Sequence, residues 1–208
     1  IARGIRKHYI VNARLEIAKR PDVIRKMEKA GFVALMVGVE STQDATLTSM
    51  NKGYTIGQIR QWFSVLRRSR MLVNAYFIVG NIGETEEQML STAPFARSIG
   101  ADLIHVSRLR NEPYSGLEDI VRQTAGYHVD QRGYVYSDLH SAEHIANLRK
   151  QIDKHFYTPF HVGAIILKLL RLLSWPARLK VAVQAPVFLA RLVASQTVRK
   201  LRKWRKPR

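Results

Sequence analysis

Residues 32–41 read FVALMVGVES and residues 72–85 read LVNAYFIVGNIGET. Each opens as an unbroken apolar run and closes on a polar turn containing glycine. A short continuous run of this kind, bounded by turn residues, predicts a parallel strand buried on both faces. Outward from these two runs, His8–Ala13 (HYIVNA) and Asp102–Val106 (DLIHV) are further strand candidates. Amphipathic stretches fill the gaps. Asp22–Ala30 follows Pro21 and stops at Gly31, and Thr42–Met50 is short. Thr55–Arg68 opens with the capping box Thr55-x-x-Gln58 and carries Ile59, Trp62, Phe63 and Leu66 on one side. A second box, Thr85-x-x-Gln88, launches a helix through about Ile99. Strands and helices alternating in this way predict right-handed crossovers and a parallel sheet whose chemistry lies at the carboxyl ends of the strands.

Beyond Ser107 the pattern changes. Ser115-x-x-Glu118 predicts a capped helix, Tyr127–Tyr136 a hairpin turning at Gly133, and Ser141–Phe156 a helix with Ile145, Leu148 and Ile152 inward. From Pro159 onward the chain is apolar and basic at helical spacing, which predicts two or three short helices punctuated by Pro176 and Pro186.

The composition, 208 residues and 46% hydrophobic, is globular and large enough for a core. It excludes wholesale disorder, collagen and a disulfide-stapled fold. There is no cysteine, so this chain alone supplies no thiolate nucleophile, no Cys-type zinc finger and no ligand for an iron–sulfur cluster. The formal charge of +18 is unevenly spread: all 16 acids lie in residues 1–153, whereas residues 154–208 hold 13 bases and no acid. A block of one sign points to an anionic surface. Helical spacing puts Phe160, Ala164 and Leu167 on one side and Lys168, Arg171 and Arg178 toward another, with Trp175 as an interfacial aromatic. An anionic membrane is therefore the expected partner, faced by Lys168, Arg171, Trp175 and Arg178. Nucleic acid ranks second, because only Trp204 interleaves with the terminal basic run and no recognition motif accompanies it.

No apolar stretch approaches the roughly 18 residues of a spanning helix. The opening IARGIRKHYIV has no signal-peptide core and reads as the interior of a domain. The expected location is cytoplasmic and peripheral on the inner face of the membrane. His140 and His144 are four apart on one helix, but no third ligand stands near them in sequence, so they read as surface residues and no metal site is expected.

Three clusters fall at predicted strand ends: Gly38-Val39-Glu40-Ser41, Gly80-Asn81-Ile82-Gly83-Glu84-Thr85, and Ser107–Arg110 (SRLR). A carboxylate there can accept from an amine or a ribose diol, and a glycine pair lets a flat ring approach the backbone. Blander readings exist for each: Glu40 as a helix-entry charge, Gly-x-x-Gly as a tight turn, and His105 as a satisfied core histidine.

Taken in order, FVALMVGVES, MNKGYT at Met50–Thr55, VNAYFIVGNIGETEEQM, FARSIGAD and Pro113-Tyr114-Ser115-Gly116 resemble the carboxyl-terminal part of a radical S-adenosylmethionine (SAM) enzyme core. Within that superfamily they are most similar to the cobalamin-dependent branch containing anaerobic Mg-protoporphyrin monomethyl ester cyclases and hopanoid-modifying enzymes. The resemblance covers about Ile10 to Gly116, and more faintly His155–Pro159. It implies an α/β fold, a partial parallel βα-barrel of the later strands, followed by a helical basic tail. The domains would be 1–116, the back half of the barrel; 117–157, a hairpin and helix extension; and 158–208, the basic amphipathic tail. It also implies that Glu40, supported by Ser41, contacts the amino or ribose part of SAM, that Gly80 with Glu84 forms a glycine element whose backbone lies beside the adenine, and that Arg14 faces the cavity. Asn74 and Tyr76 would point inward.

The cofactors implied are SAM and a 4Fe–4S cluster, with cobalamin in that branch, and the substrate is a small hydrophobic molecule. The cysteine-bearing strands of such a barrel are absent from these residues. The expectation is a fragment of a radical SAM enzyme, inactive alone and completed by a missing amino-terminal half. The competing expectation is a non-catalytic basic α/β remnant that binds membrane or nucleic acid. Two departures stand out: Ile82 replaces the proline of a Gly-x-Pro-Gly-Glu-Thr pattern, and Ser115 and Leu117 replace residues of Pro-Tyr-Pro-Gly-Thr.

Overall fold

The computed structural model describes residues 7–113, 115–172 and 175. The chain divides into two compact units, residues 1–168 and residues 169–208. In the first unit, four parallel strands stand in chain order: β1 (Tyr9–Ala13), β2 (Phe32–Glu40), β3 (Leu72–Val79) and β4 (Leu103–Arg108). The crossovers carry α1 (Pro21–Ala30), α2 (Asp44–Ser49), α3 (Ile56–Leu66), α4 (Glu86–Leu90) and α5 (Thr92–Ile99).

Both predicted capping boxes form. Thr55 and Gln58 exchange side-chain and backbone hydrogen bonds, and so do Thr85 and Gln88. The helix expected from Thr85 to Ile99 is two helices instead. Pro94 has no N–H to give the Leu90 carbonyl and its ring would crowd that carbonyl, so α4 stops at Leu90 and α5 restarts behind Ser91. A 3₁₀ turn over Leu15–Lys19, not evident in the sequence, follows β1 and buries Leu15.

From Leu35 and from Val73 onward the two central strands alternate. Leu35, Val37, Val39, Val73, Ala75, Phe77, Val79 and Val106 are buried beneath Ile59, Phe63, Leu66, Phe95 and Ile99 of the crossover helices. Their neighbours Ala34, Met36, Gly38, Asn74, Tyr76 and Ile78 are only half-buried on the other face. The continuous apolar runs predicted burial on both faces; one face is covered and the other is open. A parallel sheet ordinarily has both faces covered.

Past β4 come α6 (Leu117–Gln123), the hairpin of β5 (Tyr127–Val129) and β6 (Val135–Ser137), and α7 (Ala142–Phe156), capped by Ser141 and burying Ile145, Leu148, Ile152 and Phe156. The helix expected at Ser115-x-x-Glu118 begins later. Its N-cap is Gly116, and the Ser115 hydroxyl accepts from Leu117 N–H at 3.3 Å rather than from residue 118.

Of the helices expected from Pro159 onward, the described residues contain the first, α8 (Pro159–Leu172). It is fixed to the sheet by Ile165, which is buried, by a hydrogen bond between His161 Nε2 and the Asp102 carbonyl (3.0 Å), and by Lys168 Nζ on Asp102 Oδ2 at 2.6 Å. Asp102 Oδ2 also accepts from Val73 N–H, so this carboxylate ties the start of β4 to β3 and to α8. Lys168, expected to face a membrane, turns inward because a largely buried carboxylate needs a cation. In the second unit Trp175 is 72% exposed. Arg178 and the two prolines lie outside the described residues.

Candidate functional site

At the end of β2 the register with β3 slips between Gly38 and Glu40, and Glu40 takes a left-handed backbone with φ of 72°. For a residue with a side chain this conformation costs about 1–2 kcal/mol. The slip sends the Glu40 side chain back over Gly38. A Cβ at residue 38 would stand 2.3 Å from Glu40 Oε1, so only glycine leaves room for the carboxylate there.

Glu40 Oε1 accepts from Lys52 Nζ at 2.8 Å, and the Tyr54 hydroxyl donates to the Gly38 carbonyl at 3.0 Å. Lys52 and Tyr54 reach the strand end because the chain turns back after α2. Burial, with the Glu40 and Glu16 charges, pushes the Tyr54 phenol up to about 12, so it remains a hydrogen-bond donor. These groups wall an open cavity of about 550 Å³ together with Asn12, Arg14 and Glu16. Arg14 sits on its rim, its side chain 83% exposed and paired with Glu16 at 2.9 Å.

Ser41, Gly80 and Glu84 do not line this cavity. The Ser41 hydroxyl is buried in the turn after β2, accepting from Gln43 N–H at 3.1 Å. Glu84 is also buried: its Oε2 accepts from Gly80 N–H (2.8 Å), Asn81 N–H (3.0 Å) and the Asn81 side-chain amide (3.1 Å). This carboxylate folds the loop after β3 onto itself and so fixes the backbone of the Gly80 element. Burial pushes the Glu84 carboxyl above its ordinary value, against the pull of those amides. Gly80 has φ of 78°, and a Cβ there would meet Ile145 of α7 at 3.2 Å.

Across the open face of the sheet, the Tyr76 hydroxyl lies 3.0 Å from Met36 sulfur and its ring 5.1 Å from that of His105. His105 is exposed there rather than a core residue. Asn74 also lies on this face, with a buried Oδ1 that accepts no hydrogen bond. A second cavity, about 610 Å³, opens beside β4 and is lined by Ile78, His105, Ser107, Arg108, Tyr134 and Arg149, among others.

Elsewhere, the fold brings Glu86 beside His140 and His144, a neighbour that the sequence did not reveal. Its Oε2 lies 2.8 Å from His144 Nε2, and one ligand atom from each of the three residues falls within 4.8 Å of the others.

Residues 1–96 match the sequence model of the Radical SAM superfamily. That segment is similar to part of a radical SAM domain. Over 120 residues, 56% of the chain, it is 29% identical to the anaerobic magnesium-protoporphyrin IX monomethyl ester cyclase of Cereibacter sphaeroides. Over 108 residues it is 28% identical to the enzyme of that name from Rubrivivax gelatinosus. The chain spans about a fifth of the length of each of these curated relatives. Among solved structures it is similar to the radical S-adenosylmethionine methyltransferase TsrM from Kitasatospora setae, determined with cobalamin and a 4Fe–4S cluster bound. That similarity has a TM-score of 0.51 and 16% identity over 81% of this chain and 37% of TsrM, and it carries the fold alone. The parallel sheet is thus a partial radical SAM-type barrel. Glu40 and its cavity lie inside the matched segment, whereas β4, the hairpin, α7 and α8 lie beyond it.

Proposed function

We propose that this chain forms the later, SAM-facing strands of a radical SAM enzyme that acts on a hydrophobic small molecule, and that it is inactive without strands carrying the cluster thiolates. The observation that carries this reading is Glu40: a carboxylate held at positive φ, folded over a glycine and paired with Lys52 in an open cavity at a strand end. Backbone strain kept at such a place is a mark of function.

The residues present fit one cofactor and not the other. Glu40 would accept from the SAM amino group or ribose hydroxyls, Lys52 would donate to its carboxylate or ribose oxygens, and Tyr54 holds the Gly38 backbone beneath them. Bound beside a reducing cluster, SAM supplies radical chemistry. A 4Fe–4S cluster has no ligand in a chain without cysteine, so no step of the reaction is assigned to one here. The exposed edge strand β1, where Tyr9 is 40% and Ile10 63% exposed, supports pairing with further strands on a longer chain or a partner. Cobalamin use would follow the cyclase-like branch.

The test is SAM affinity of the intact protein, with its cysteine-bearing strands, measured by equilibrium dialysis. Glu40→Gln removes a charge-assisted acceptor and is expected to weaken binding by roughly 10- to 100-fold. Unchanged affinity would refute the assignment.

A second observation supports an anionic membrane as the surface on which this protein works. On α8, Phe160 is 89% exposed and Ile166 and Leu167 about half exposed, preceding an acid-free basic stretch. Among the described residues no helix is long and apolar enough to cross a membrane.

A further inference from the structure

The cavity beside β4 is cationic. Arg108, Arg110, Arg149 and Lys150 stand in its wall, and Glu112, 3.4 Å from Arg110, is the one acid among the described residues that line it. Among the described residues no carboxylate lies within ion-pair distance of Arg108, Arg149 or Lys150. Three uncompensated cations in one concavity repel one another and focus a positive potential into it.

Two of them are held in place. The Arg108 guanidinium carbon lies 3.6 Å from the centre of the Tyr134 ring, and its Nη1 donates to the Ala142 carbonyl at 2.9 Å. Arg149 reaches from α7 to the Val106 carbonyl at 3.5 Å. A guanidinium carries five N–H donors, so each keeps several for a ligand. The Ser107 hydroxyl and the His105 ring have no hydrogen-bond partner among the described residues, and both line the same space. Fixed guanidinium forks with spare donors suit the paired oxygens of a carboxylate or phosphate.

Strand register relates this cavity to the first. Gly38 pairs with Tyr76, Tyr76 with His105, and Ile78 with Ser107, so the end of β2 and the wall at β4 share the open face, two strand spacings or roughly 10 Å apart. The surface between them is made by Met36, Tyr76 and Ile78.

We infer that the cavity beside β4 binds the carboxylate or phosphate group of an amphipathic small-molecule substrate, whose apolar body lies over Met36, Tyr76 and Ile78 toward the Glu40 cavity. The direction of the body rests on the function proposed above; the anion site does not.

The test uses the full chain and two probes, inorganic phosphate and succinate, with the arginine side-chain N–H signals followed by NMR. Saturable shifts at Arg108 and Arg149 are expected with at least one probe, and the probe that saturates at lower concentration identifies the group. Arg149→Gln and, separately, Lys150→Gln should each weaken that binding by about tenfold. Lys150 is exposed and bonded only to Asn147, so its variant leaves the fold intact even if Arg149→Gln does not. Shifts that rise linearly without saturation, that appear equally with chloride, or that survive both substitutions would overturn the site. None of these readouts involves SAM: loss of SAM binding with retained anion binding would sink only the proposed enzyme function, and the reverse would sink only the anion site.

Discussion

Glu40 shows what one residue can carry. Its positive φ makes glycine the more stable choice, yet the carboxylate is kept. Glu40→Gly and Glu40→Ala both delete the pair with Lys52, but only alanine keeps the strain. The glycine variant should therefore be the more stable of the two by about 1 kcal/mol in denaturant titrations, while both should bind SAM more weakly than the native protein. Glu84 gives a prediction of opposite kind. Its folded carboxyl is raised above the ordinary 4.5, so protonation favours the folded state. That stabilisation is complete below the ordinary value and is lost as pH rises through the folded one. Relative to Glu84→Gln, the native chain should gain stability as pH falls from 7 to 4; a gap independent of pH would contradict this account. Glu40 was legible as a carboxylate at a strand end. Its partners Lys52 and Tyr54 were not, because the quoted MNKGYT stretch meets β2 only after the chain has turned around α2. The inward role of Glu84 was hidden for a related reason: its sequence position beside a glycine turn does not show that it is buried and scaffolds the turn.

At the scale of elements, apolar runs and capping boxes gave away the four strands and the starts of α3 and α4. What stayed hidden depended on backbone chemistry or tertiary contact. Pro94 divides a helix whose side-chain periodicity is continuous, and Asp102 claims Lys168 from 66 residues away, turning it off the outer face of α8. That claim alters how the membrane reading is tested. Removing everything from residue 159 would strip Ile165 and Lys168 from the sheet, so the informative truncation removes only residues 173–208. The native chain should co-sediment with vesicles containing phosphatidylserine, more weakly at 0.5 M salt, which screens exposed charges. The truncated chain should not. Equal binding by both, or binding to neutral vesicles alone, would refute the tail's role.

For the whole molecule, the sheet is the organising fact. One face lies under α1, α3, α5 and α7; the other carries two cavities, a row of half-buried side chains and an exposed edge at β1. On the function proposed above, this part of the barrel would hold a substrate and the polar end of SAM, and in a chain without cysteine the electron would come from elsewhere. The most direct measurement is 5′-deoxyadenosine formation from SAM under anaerobic, reducing conditions. It would compare these 208 residues with the intact protein that includes cysteine-bearing strands, after reconstitution with iron and sulfide. The account predicts product from the intact protein, little from its Glu40→Gln variant, and none from the 208 residues alone. Product from the cysteine-free chain, or none from an intact protein with its cluster in place, would contradict it.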